Sequence, residues 1–141
     1  RGRGVTQHDD RAAEHDIAKV LVRYAAGIDR RDWDLFRSCF TSDCRADYEG
    51  IAVWEGADAI TEFMTGSHAG LGYTLHRLSN LAITVNGGTA MARSYVDAVL
   101  MSGDGQSGLN AIGFYDDELV RTSDVWRIAN RRYTPVRLGT I

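Results

Sequence analysis

The sequence predicts a single α+β domain: three helices packed against a strongly curved, mostly antiparallel sheet. Three observations carry this. Residues 11–70 hold three stretches of helical period and one short hairpin pattern. The remainder alternates like strand, broken by turn signals at Asn86-Gly87-Gly88, in the 102–108 SGDGQSG loop and at Thr122-Ser123-Asp124. The only proline is Pro135, so elements can run long without interruption. Helices and strands segregated along a chain make an α+β domain, and long strands twist, so the sheet should wrap around its helices.

Taken in order, residues 1–10, RGRGVTQHDD, are polar and read as a frayed or appended tail; residues 11–141 form the domain. The first helix is expected over 11–29. Ala18, Val22, Ala25 and Asp29 form one stripe and Ile17, Leu21, Tyr24 and Ile28 its neighbour. A second helix follows from Asp29 through Trp33, Phe36 and Phe40, with Asp29 as a possible N-cap. Thr41–Asp43 reads as a turn. Cys44–Glu49 and Ala52–Glu55 form a hairpin around Gly50, and a third helix lies within Gly56–Gly70. Four strands complete the chain: Tyr73–Val85, Thr89–Met101, Leu109–Arg121 and Val125–Pro135.

Composition narrows the function. The 141 residues suffice for one core, and 44% hydrophobic with 25% charged residues is ordinary for a globular chain. A net charge of −3 with no basic run offers no footprint for nucleic acid or an anionic membrane surface. No apolar run approaches the roughly 20 residues of a membrane span. No export signal is visible, so a reducing cytoplasm is the expected compartment, with Cys39 and Cys44 as free buried thiols. There is no phosphate-binding glycine loop, no zinc-binding pattern and no nucleophile elbow. The expectation is therefore acid–base chemistry without metal or cofactor, or simple ligand binding.

One strand face points to a cavity. Ala90, Ala92, Ser94, Val96 and Ala98 share a face, and Ala111 and Gly113 precede Tyr115 on the next strand. Facing the helices, such small residues under-fill an interior that is normally dense, and a persistent apolar void usually holds a small ligand. The alternative is closer helix packing. The opposite parity, Arg93, Tyr95 and Asp97, faces outward; with Met91 and Val99 it suits contact with a second copy of the chain.

The chemistry-bearing candidates are Asp29, His76, Tyr48, Tyr24 and Arg131. Asp29 ends an apolar stripe at a helix C-terminus, where burial and the helix dipole both oppose its charge; it needs a partner there, unless it caps the second helix. His76 shares its strand face with Leu78, Asn80, Ala82 and Thr84. It is either a proton-transfer residue or a satisfied core histidine. Tyr24 and Tyr48 could each donate a hydrogen bond to a substrate oxygen. Alternation turns one of Arg131 and Arg132 inward. His8, His15 and His68 carry less weight.

Three segments, 28–50 (IDRRDWDLFRSCFTSDCRADYEG), 74–90 (TLHRLSNLAITVNGGTA) and 114–133 (FYDDELVRTSDVWRIANRRY), together resemble the SnoaL-like branch of the nuclear-transport-factor-2-like superfamily. They are most like its dehydratase group, which includes scytalone dehydratase, bile acid 7α-dehydratase and hexachlorocyclohexane dehydrochlorinase. The resemblance implies a cone-shaped α+β barrel with a pocket at its open end. It also implies an aspartate at the end of the first helix paired with a strand histidine, here Asp29 and His76. Tyr48 and Tyr24 match tyrosines that act on substrate oxygen or precede the aspartate, and Arg131 falls near an arginine of that group. Tyr24 stands where the dehydrochlorinase has lysine, and the second pocket histidine of scytalone dehydratase has no clear counterpart.

The expected function is that of a cofactor-free lyase acting on a small, hydrophobic, ring-containing molecule. Tyr115, Val96, Ala98, Phe63 and Trp54 are expected against the ligand. Alternatives are an isomerase or polyketide cyclase, or a non-catalytic ligand-binding or assembly module. Related proteins pair through the sheet, which implies a homodimer or higher homo-oligomer.

Overall fold

The computed structural model describes the backbone of residues 2–141 and the side chains of residues 10–141. The tail expected over 1–10 thus falls mostly on side chains outside those described. The elements are α1 (Gly2–Arg30), α2 (Trp33–Ser38), β1 (Phe40–Tyr48), β2 (Ala52–Glu55), α3 (Ala57–His68), β3 (Leu71–Asn86), β4 (Thr89–Ser102), β5 (Gly108–Thr122) and β6 (Val125–Thr140). Six strands form one open sheet in the order β2-β1-β6-β5-β4-β3. All neighbours are antiparallel except β1 and β6, which run parallel. No described helix is long and apolar enough to cross a membrane.

On α1 the buried stripe is Ile17, Leu21, Tyr24 and Ile28, joined by Val20 and Ala25; Val22 is 56% exposed. Of the two adjacent stripes, the one carrying the larger side chains is buried, because it removes more apolar area from water. The chain then reverses at once. The amide of Asp32 donates to the Gly27 carbonyl (2.9 Å) and that of Arg31 to the Ile28 carbonyl (3.2 Å). Arg31 holds the left-handed conformation this ending requires, with φ +57°. The N-cap of α2 is Asp32, whose carboxylate accepts from the Leu35 amide, rather than Asp29. Gly27 permits the tight reversal: a Cβ there would stand 2.8 Å from the Phe36 nitrogen.

Three further strand expectations need correction. Thr41–Asp43 is not a turn but the start of β1, with a register break between Phe40 and Arg45 where β1 lies on β6. β3 reverses its faces midway. Asn80 sits at φ +54° inside a break between Ser79 and Ala82. Beyond it Leu81, Ile83 and Val85 pack on the core in place of Ala82 and Thr84. Asparagine tolerates that conformation, and a one-residue slip exchanges the two faces. β6 continues past Pro135, which pairs with Gly113 where the register shifts and Val136 drops out of the ladder. A proline without an amide proton is accommodated at such an irregularity.

The turn chemistry behaves as expected. Gly87 has φ +62°, and Ser123 and Asp124 are both at positive φ, the geometry of tight hairpins. Ala90, Ala92, Ser94, Val96 and Ala98 all face inward and are buried, while Met91, Arg93 and Tyr95 are exposed on the outer face. Cys39 and Cys44 are buried free thiols. Replacing Gly27 by alanine should cost about 1–3 kcal/mol by overpacking α2, despite alanine's better helix propensity. Urea unfolding of the two proteins measures the difference.

Candidate active site

Helix α1 delivers Asp29 to the middle of β3. One carboxylate oxygen, Oδ1, accepts from His76 Nδ1 (2.7 Å) and from the Thr74 hydroxyl (2.9 Å); Oδ2 accepts from the backbone amide of His76 (2.7 Å). Burial by itself pushes the Asp29 carboxyl up. The bonds from the His76 ring and amide, the imidazole's charge and the Thr74 hydroxyl outweigh it, so the net direction is down. Because Nδ1 faces a carboxylate, it is the ring nitrogen that donates, which leaves Nε2 as the nitrogen turned away from Asp29. Nε2 has no hydrogen-bond partner among the described residues, and the ring lines an apolar cavity. Asp29 does not line that cavity; it stands behind the imidazole.

The cavity has a volume of about 490 Å³. Its walls include all five residues expected there: Tyr115, Val96, Ala98, Phe63 and Trp54. The small face divides in two. Ala90 and Ala92 belong to the packed core, whereas Val96, Ala98 and Ala111 border empty space. Trp54 and Phe63 pack in a tilted arrangement with 4.8 Å between centroids, and Phe63 is partly exposed.

Tyrosines close the inner end. The Tyr24 hydroxyl lies 3.0 Å from that of Tyr48 and 3.1 Å from that of Tyr115. Three hydroxyls carry three protons, and two mutual bonds use two of them. One proton therefore remains to be donated. Burial raises all three phenols well above their ordinary value, with neighbouring tyrosines adding and Arg131 opposing, so they remain protonated donors.

Arg131 turns inward and Arg132 outward, where Arg132 faces Asp47 and Glu49. Arg131 does not reach the cavity, contrary to the expectation that it meets a substrate or leaving group. It is fully buried and held by both oxygens of Asp117, at 2.8 and 2.9 Å. Its guanidinium carbon lies 3.8 Å from the Tyr115 ring centre and 4.2 Å from that of Tyr24. Nη1 reaches the Tyr48 hydroxyl at 3.5 Å. Burial alone would lower the basicity of this guanidinium, but Asp117 holds it charged. Its positive charge lies behind the phenols rather than in front of them.

Four residues of the site escaped the sequence reading or were discounted in it. His68 is buried, lines the cavity, and lies 6.4 Å from His76 between ring centres. Its Nδ1 sits 2.9 Å from the Met64 carbonyl, which can only accept, so Nδ1 is the protonated nitrogen. Nε2 is then a buried acceptor without a partner among the described residues. Burial lowers the His68 pKa, the Met64 bond opposing, and the ring is neutral near pH 7. The signal was present: Ala57, Ile60, Met64 and His68 make one helical stripe. Asp117 was marked by its parity with Gly113, Tyr115 and Leu119. Thr74 shares the parity of His76. Tyr133, which pairs with Tyr115 and lines the cavity, shares that of Arg131.

Comparison with known proteins fits this architecture. A family model for the SnoaL-like domain matches residues 9–132. The chain belongs to the SnoaL-like family. An uncharacterized protein of Mycobacterium tuberculosis is 32% identical over 118 residues, covering 82% of this chain and 80% of its own length. Among solved structures, a scytalone-dehydratase-like protein from Novosphingobium aromaticivorans superposes with a TM-score of 0.88 at 21% identity, covering 94% of this chain and 90% of that one. A type 2 hexachlorocyclohexane dehydrochlorinase superposes with a TM-score of 0.87 at 18% identity, covering 96% and 93%. At these identities the two structures show the shared fold: three helices in a curved, open, mixed sheet, as a SnoaL-like domain has.

Asp29 has a depressed pKa, so the stability it contributes is full above the unfolded carboxylate's value of about 3.9 and is lost as pH falls through the lower folded value. Asp29→Asn should lower stability by about 1 kcal/mol at pH 7, since charge-assisted hydrogen bonds become neutral ones. The gap in melting temperature between the two proteins should narrow as pH falls below about 4, where the Asp29 carboxylate takes up its proton.

Proposed function

We propose that the protein is a cofactor-independent lyase that eliminates water or an acid from a small, ring-containing, hydrophobic substrate. The observation that carries this reading is the His76 imidazole. Its Nδ1 is bonded to a carboxylate, its Nε2 has no hydrogen-bond partner among the described residues, and the residue lines an apolar cavity. That arrangement suits a general base.

Nε2 takes a proton from a carbon acidified by a neighbouring carbonyl. The electron pair moves to form the new double bond as the leaving group departs from the adjacent carbon; a departing hydroxide takes the proton held on Nε2 and leaves as water, whereas chloride leaves as the anion and that proton passes to solvent. Asp29 fixes the tautomer and stabilises the imidazolium as it forms. The spare proton of the Tyr24–Tyr48–Tyr115 chain is donated to the oxygen on which negative charge grows. Arg131, behind the phenols, favours that charge without touching the substrate. His68 Nε2 accepts from a substrate hydroxyl, which favours a hydroxylated ring over a wholly apolar one. The dehydratase-like and dehydrochlorinase neighbours support elimination as the reaction class, as an analogy of fold. If the departing group is retained and the proton is returned to another carbon, the same residues perform an isomerisation.

The test is mass-resolved turnover of a panel of ring ketones bearing a β-hydroxyl or β-chloro group. Wild-type protein should yield products lighter by water or hydrogen chloride. His76→Ala and Asp29→Asn should each lose about 10²–10⁴-fold in rate while remaining folded. Unchanged turnover in both variants would remove His76 as the base. Products of unchanged mass would move the assignment to isomerase, and no turnover across the panel would favour a ligand-binding role.

A further inference from the structure

We propose that Arg31 is a positioning residue for the Asp29–His76 pair, acting on it through the Thr74 hydroxyl. The inference rests on the reading of that pair as the working base, and it names the residues that hold the pair's geometry.

The backbone supplies the first argument. Arg31 occupies the left-handed position that closes α1, at φ +57°. Glycine fits that position without steric penalty; a residue with a Cβ is strained there. Strain of this kind persists where the side chain has work that the backbone alone cannot do.

The side chain supplies the second. Arg31 Nη2 donates to the Gly72 carbonyl (2.7 Å), and Nη1 is within 3.0 Å of the Ile28 carbonyl and 2.9 Å of the Thr74 hydroxyl oxygen. One guanidinium thus joins the last turn of α1 to the strand that carries His76. It also satisfies carbonyls at the negative end of the helix, beside the Asp29 carboxylate.

The proton arithmetic supplies the third. The Thr74 hydroxyl has one proton. With a lone pair engaged by Arg31, that proton is directed to Asp29 Oδ1 at 2.9 Å. Oδ1 is also the oxygen that accepts from His76 Nδ1. Thr74 is only 2% exposed, so solvent offers its hydroxyl little alternative. The chain Arg31–Thr74–Asp29–His76 is therefore continuous, and Arg31 itself does not line the apolar cavity.

The test reads the imidazole directly and needs no substrate. In uniformly ¹⁵N-labelled full-length protein, the His76 nitrogen shifts report which ring nitrogen carries the proton. Wild type should be almost wholly the Nδ1–H tautomer. Arg31→Gly relieves the backbone strain, so its melting temperature should equal or exceed that of wild type. Its Nδ1–H fraction should nonetheless fall, because the carboxylate oxygen that holds Nδ1 is no longer positioned through Thr74. Thr74→Val, which keeps the shape and removes the hydroxyl, should reproduce the tautomer change, and it decides the question alone if Arg31→Gly does not fold. An unchanged tautomer in Thr74→Val overturns the proposal. So does an Arg31→Gly protein that melts lower with its tautomer intact, because Arg31 is then only a clamp between helix and strand. Neither readout depends on elimination activity, so the positioning role and the lyase assignment can fail separately.

Discussion

Everything at the site depends on a carboxylate placed where it is least welcome. Asp29 lies in the last turn of α1, at the negative end of the helix dipole, and is largely buried. Water cannot fully solvate it, so protein donors must. β3 supplies three: the His76 ring, the His76 amide and the Thr74 hydroxyl. These same bonds dock the helix end onto the strand and fix the imidazole's orientation. The helix–strand contact and the orientation of the His76 ring are thus consequences of one interaction.

The other end of the cavity obeys the same rule with the signs arranged differently. Arg131 and Asp117 are fully buried and meet across adjacent positions of β5 and β6. A buried pair of this kind contributes little net stability, because desolvation offsets the attraction, but removing one partner is costly. Its value here is positional. The guanidinium lies against two tyrosine rings and touches a third hydroxyl, which fixes the phenols that face the cavity.

How much of this could be read from the sequence follows from how local each signal is. The hairpin at Asn86-Gly87-Gly88 and the inward row from Ala90 to Ala98 depend on neighbouring residues and were legible. The pairing of Asp29 with His76 was suggested by resemblance; residue types alone left Asp29 as either a buried carboxylate or a cap. That ambiguity is physical, since Asp29 and Asp32 flank the same helix break and both have capping chemistry. Asp32 wins because α1 runs on to Arg30. The parallel contact of β1 with β6 has no local signature, because its paired residues, such as Ala46 and Arg131, lie more than eighty positions apart. Without the β5–β6 register, Arg131 could not be matched to Asp117. Without it, the inward arginine looked like a substrate ligand. The break at Asn80 shows how one left-handed residue defeats alternation: every inward assignment beyond it changes face.

The division of charge bears on the chemistry the cavity can support. Asp29 stands behind His76, and the Arg131–Asp117 pair stands behind the tyrosines. The inner wall therefore presents the His76 ring, the neutral His68 ring with its free acceptor nitrogen, and phenols with one proton to give. The formally charged residues on the lining, Glu49 and Arg137, are both exposed to water, so a neutral apolar molecule meets no buried ion on its way in. If a proton then moves to His76, positive charge appears beside Asp29 and negative charge appears near the phenols backed by Arg131. Both charges arise next to fixed groups of opposite sign in a site of low polarity, where such interactions are strong and need no reorganisation. A site built only to hold a neutral ligand gains nothing from charges placed one layer back. Their placement favours a reaction in which charge separates after binding.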